Sequence, residues 1–106
     1  MTIATVNPAN GKTIRTFESF STARVSECLD LAVTAYRAHR RTAFPDRAQR
    51  MQKAAAILDA ESSELGRLMT LEMGKPIGAA IAEAKKCATA CRYYAGNAER
   101  FLADQP

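Results

Sequence analysis

The sequence predicts an α+β fold in which an N-terminal β-hairpin is followed by several α-helices. Three observations carry this. Alternating β-branched residues flank a dense turn motif in the first twenty positions, and apolar residues recur at helical spacing from position 22 onward. Phe44-Pro45 and Gly74-Lys75-Pro76 punctuate that helical stretch. A chain of 106 residues is the size of one folding unit. Its 47% hydrophobic and 25% charged residues are a globular balance, far from the composition of disorder. With 7% aromatic residues, no Trp and many Ala, the core has to come from close approach of small side chains, which favours helices.

The hairpin is predicted over about residues 3–20. Thr2 to Val6 and Thr13 to Phe17 are its β-branched arms, and Asn7-Pro8-Ala9-Asn10-Gly11-Lys12 is the reversal, with Asn10-Gly11 supplying positive φ angles. Ser21 or Thr22 caps a first helix running to about Arg40, with Val25, Cys28, Leu29, Ala32 and Tyr36 on one face. Phe44-Pro45 ends that run. Asp46 with Gln49 three positions on has the form of a capping box opening the next helix, 46–73, with a bend expected at Ser62-Ser63. Gly74 is placed for the left-handed C-terminal position of that helix, Lys75 to reach a carbonyl or Glu72, and Pro76 to begin a last helix over 76–103. Along that helix Ile77, Ile81, Ala84, Ala88, Cys91, Ala95, Ala98 and Leu102 form a heptad seam narrow enough for backbones to approach closely. Gly96 inside it costs roughly 1 kcal/mol relative to Ala, to be offset by packing. This seam and the stripe from Met51 to Met69 present more apolar surface than one short helix and a hairpin can cover.

Lys and Arg exceed Asp and Glu by 15 to 11, for a net charge of +4. The densest positive group is Arg37, Arg40, Arg41, Arg47 and Arg50. Cations offset the macrodipole at a helix C-terminus, so this group reads as a solvated face rather than a nucleic-acid stripe. No apolar run approaches the ~20 residues of a membrane span. The N-terminus lacks the basic and apolar regions of a secretory signal, and an odd count of three cysteines points to reduced thiols in a cytoplasm.

Side chains able to do chemistry are sparse. Cys87 and Cys91 lie one helical turn apart with His39 as the sole imidazole, one ligand short of a zinc site. Cys28 and His39 are about three turns apart and cannot form a nucleophile–base pair. Glu61 with Glu64, and Glu83 with Glu99, have no apolar surroundings in sequence to raise a carboxyl pKa. The residues by themselves describe a mostly helical domain, and one reading of it is a free-standing interaction module that binds a partner through the Ala/Cys seam.

Three landmarks take the reading further: Val6-Asn7-Pro8-Ala9-Asn10-Gly11-Lys12, then Met69-Thr70-Leu71-Glu72-Met73-Gly74-Lys75-Pro76, then Cys91-Arg92-Tyr93-Tyr94-Ala95. In order and spacing the chain resembles the N-terminal segment of the NAD(P)-dependent aldehyde dehydrogenase superfamily, nearest its bacterial succinate-semialdehyde dehydrogenase branch. The resemblance implies that residues 1–106 are a partial domain, a hairpin (1–20) and helices (22–103) forming the outer scaffold of a Rossmann-type α/β cofactor domain. The full-length family oxidises a semialdehyde to a carboxylate with reduction of NAD(P). Its catalytic cysteine, general-base glutamate, oxyanion asparagine and ribose-binding lysine belong to segments beyond the counterpart of Pro106. No catalytic or cofactor-binding role therefore falls on Cys28, Cys87, Cys91 or any other residue here, and the chain alone is expected to be inactive and to bind no NAD(P). The implied partner is the remainder of the subunit, within a homo-oligomer, with no nucleic acid and no membrane. The resemblance also implies a monovalent cation held by the backbone oxygens of Thr5 and Val6 and the side chain of Glu99, oxygen ligands suiting a hard cation.

Overall fold

The computed structural model describes residues 2–106. Met1, which the predicted hairpin includes, lies outside the described residues. The order is β1 (Thr2–Val6), β2 (Thr13–Glu18), α1 (Thr22–His39), α2 (Phe44–Ala60), α3 (Ser62–Met73) and α4 (Ile77–Phe101).

β1 and β2 pair antiparallel, Ile3 opposite Phe17 and Thr5 opposite Arg15. Val6 then pairs with Thr13, which leaves Ile14 as the extra residue of a bulge. The turn closes through local side-chain bonds. The Asn7 amide oxygen accepts from Ala9 N at 2.9 Å, and the Asn10 amide oxygen accepts from Lys12 N at 3.0 Å. Gly11 adopts φ +69°; Asn10 does not share the left-handed conformation, contrary to the expectation for the pair. Its side chain serves the turn as an acceptor instead.

Ser21 caps α1 as predicted, its hydroxyl accepting from Arg24 N at 3.2 Å. The capping box at Asp46 and Gln49 does not form. α2 begins two residues earlier, at Phe44, with extended Ala43 before it and Pro45 in the first turn, where a missing N–H is harmless. Asp46 sits inside that turn, favourably placed against the helix dipole. The expected bend falls on Glu61, which separates α2 from α3, rather than on the serines, and the Ser62 side chain turns inward and is buried. Gly74 takes φ +74° and donates to Thr70 O at 3.0 Å, the left-handed stop that was predicted. Pro76 is extended and precedes α4 instead of opening it.

α4 lies across both α2 and α3. Among the described residues the buried hydrophobic ones are Ala55, Ala80, Ala84 and Ala88, and no larger side chain is fully buried. This is the small-residue core that the composition anticipates. The predicted seam holds at its centre and fails at its ends, where Ile77 and Leu102 are exposed. Gly66, absent from the predicted core, is buried against α4: a Cβ at that position would come within 2.6 Å of Ile81 Cγ1 and 3.0 Å of Ile81 N. Arg92 of α4 pairs with Asp59 of α2, tying the two helices across their outer faces.

The other elements are peripheral. The hairpin touches α3 through β1, and Pro8 packs close to Gly74. No residue of α1 is buried, and along its length α1 packs against no other described element, its C-terminal His39 alone being reached by side chains of α2. The radius of gyration is 18.3 Å, whereas a compact domain of this length has about 13 Å. Apolar side chains on α1 (Val25, Leu29, Val33, Tyr36) and at the end of α4 (Tyr93, Phe101, Leu102) face outward. The sequence places a surplus of apolar surface on the α4 seam and the Met51–Met69 stripe; the exposed large residues also include those of α1, the helix expected to help cover it.

Candidate functional site

A concavity lies where the end of α1, the start of α2 and the end of α4 converge. It is a cleft of about 400 Å³ with apolar walls from Phe44, Met51, Tyr94 and Leu102, and with Arg47, Arg50 and Glu99 among its polar residues. The Phe44-Pro45 start of α2 creates it by turning the chain directly after α1. Arg47 then reaches back, one terminal nitrogen donating to His39 O at 3.2 Å and Arg40 O at 3.1 Å. These are the last carbonyls of α1, where a cation also meets the negative end of the helix dipole. The guanidinium lies 5.5 Å from the Phe44 ring centroid. Its Nε is buried and has no hydrogen-bond partner. Arg50 approaches the His39 ring at 3.4 Å. Sequence reasoning placed Arg47 among solvated cations and missed its clamping role; its position just after a helix-breaking Phe-Pro pair was the available signal.

A second polar cluster fixes the α3–α4 junction. Thr70 Oγ1 donates to Lys75 O at 2.7 Å and lies 3.1 Å from Gly66 O, and Lys75 Nζ pairs with Glu83 at 2.9 Å. The lysine therefore reaches forward to α4, not back to Glu72. The hydrogen bond from Lys75, then its charge and that of Lys86, hold the Glu83 carboxyl below its ordinary pKa. Glu83 is consequently a structural ion-pair member rather than half of an acid–base pair with Glu99. Glu64 likewise pairs with Arg67 at 3.4 Å.

The other predicted site residues are dispersed. Thr5 and Val6 lie in β1, which rests on α3 and has no contact with α4. Glu99 is on α4, where it lines the elbow cleft. The Thr5 hydroxyl is buried without a partner. Cys87 is exposed, Cys28 and Cys91 are half-buried, and all three are free thiols. Among the described residues no three His, Cys, Asp or Glu side chains gather to hold a metal. A dinucleotide pyrophosphate needs a glycine-rich strand-to-helix turn. Here Gly11 is in the hairpin turn, Gly66 is inside α3, Gly74 ends it, and Gly78 and Gly96 lie within α4. The residues present do not fit that cofactor. No helix of the described residues is long and apolar enough to cross a membrane.

Comparison with known proteins identifies the family. A Synechocystis protein named "Probable succinate-semialdehyde dehydrogenase, NADP(+)" is 50% identical over 99% of this chain, which covers 23% of that protein. Succinate-semialdehyde dehydrogenase NADP(+) 1 of Mycobacterium bovis BCG is 45% identical over the whole chain, again with 23% of its own length covered. The chain thus spans about a quarter of the length of the curated relatives it matches. The crystal structure of succinic semialdehyde dehydrogenase from Streptococcus pyogenes in complex with NADP+ superimposes with a TM-score of 0.90 over 97% of this chain and 23% of its own, at 27% identity. With the aldehyde dehydrogenase family profile matching residues 1–105, the chain belongs to the aldehyde dehydrogenase family.

Proposed function

We propose that this chain is the N-terminal scaffold of the cofactor-binding domain of a cytoplasmic NADP-dependent succinate-semialdehyde dehydrogenase. The whole enzyme would oxidise a semialdehyde to its carboxylate with reduction of NADP(+). The observation that carries the reading is 45–50% identity, running essentially end to end, with proteins bearing that name. The extended shape and uncovered apolar faces support it, because a scaffold lacking its neighbours leaves such faces open. The role of these residues is to hold a rigid α2–α3–α4 frame against which the remaining subunit folds. A free-standing module binding through the Ala/Cys seam gains no support, since that seam is already occupied by α2 and α3.

The test is a chimaera in which this chain replaces the matching quarter of the Synechocystis relative. Succinate semialdehyde oxidation with NADP(+) should be retained in the chimaera, and the 106-residue chain alone should show none. A chimaera that folds and assembles but has lost this activity would overturn the proposal.

A further inference from the structure

Cys87 and Cys91 stand one turn apart in the middle of α4, an unbroken helix from Ile77 to Phe101. Both are free thiols, Cys87 exposed and Cys91 half-buried. Residues four apart on a helix share a face, with Cβ atoms about 5–6 Å from one another. A disulfide needs Cβ atoms about 3.5–4.5 Å apart, so the two sulfurs do not close on each other while the turn stays helical. One atom set between them lengthens the bridge by a bond and spans the gap. The donor set is sulfur alone: of the helical neighbours, Ala84, Ala88, Ala90 and Ala95 carry only a methyl, and Glu83 is engaged by Lys75. Among the described residues no third His, Cys, Asp or Glu joins the two thiols, so a zinc ion, which takes about four ligands, is not served here. Two thiolates suit a soft centre whose remaining position is already filled.

We infer that Cys87 and Cys91 form a two-thiol site on α4 for a trivalent organoarsenical. The arsenic–oxygen bonds of an arsenoxide give way to two arsenic–sulfur bonds. Both thiol protons leave with the oxygen as one water, and arsenic stays trivalent, so no oxidant or reductant takes part. Exposed Cys87 receives the arsenic first, and Cys91, one turn on, closes the ring. Because the second bond forms within one molecule, the pair outcompetes Cys28, a single thiol on another helix. The bridge pins one turn of α4, so binding favours the folded chain. The site is separate from the proposed enzyme activity.

The reduced 106-residue chain is titrated with phenylarsine oxide and followed by intact mass and by alkylation of the remaining thiols. One phenylarsenic unit should replace two hydrogens per chain and shield Cys87 and Cys91, leaving Cys28 open to alkylation. C87S and C91S should each weaken binding by roughly a hundredfold, and C28S by less than about twofold, with helix content unchanged by circular dichroism. In C28S the reagent should also raise the thermal midpoint of the helical signal. Absence of binding, full binding by C87S or C91S, loss of binding in C28S, or two chains joined through one arsenic would each overturn the inference. A midpoint left unchanged or lowered by the reagent would overturn it as well, because the pair would then gain nothing from the helical turn.

Discussion

α4 and α1 are both long amphipathic helices, yet one is buried along its centre and the other has no buried residue. The difference lies in side-chain size. Ala80, Ala84 and Ala88 let α4 approach two neighbouring helices closely, and Gly66 lets α3 come within van der Waals limits of the Ile81 backbone. α1 carries Val25, Leu29, Val33 and Tyr36, which need a deep complementary surface, and this chain supplies none. Small residues thus complete their packing within the chain, and large ones leave theirs open.

The largest expected effect breaks the inner half of this contrast. Ala88 is 0% exposed, so Ala88→Leu should force α4 from its neighbours and cost about 3 kcal/mol by urea denaturation. Leu29 on α1 is 62% exposed, and Leu29→Ala should stay within about 0.5 kcal/mol of the parent. A pair of glycines sharpens the contrast by sign. Gly66→Ala should destabilise by roughly 2 kcal/mol because its Cβ collides with Ile81. Gly96→Ala meets nothing within 4 Å and should stabilise α4 by roughly 0.5–1 kcal/mol. The packing expected to offset Gly96 is thus absent within this chain. At the α3–α4 junction, Gly74→Ala would strain a positive φ and bring Cβ to 3.1 Å from Pro8 Cγ, costing about 1 kcal/mol or slightly more.

The smallest effect is electrostatic. Because the folded Glu83 pKa lies below its unfolded value, the Lys75–Glu83 pair stabilises above the ordinary carboxyl pKa of about 4.3 and is lost as pH falls through the folded value. Lys75→Met should therefore flatten the acid limb of the thermal midpoint against pH. An unchanged acid limb would remove the pair from the account.

The sequence discloses the elements because their signals are local. Ser21, Gly11 and Gly74 act through their own backbone neighbourhood, and all three do what their chemistry suggests. What it conceals is decided by packing. Gly66 and Ser62 resemble solvent-side residues until α4 is laid over them, and Pro45 pre-empts the capping box at Asp46 by opening the helix earlier. Arg47 is one cation among many until the chain turn brings the α1 carbonyls to it. Glu99 as a cation ligand came from resemblance and not from spacing.

The most direct test of the proposed frame is amide hydrogen exchange of α1, compared between the 106-residue chain and the chimaera. The centres of α2, α3 and α4 should be protected in both, whereas α1 should exchange at nearly unfolded rates in the isolated chain and become protected in the chimaera. Equal and strong protection of α1 in the isolated chain would contradict the account, because it would show that the chain completes its own core.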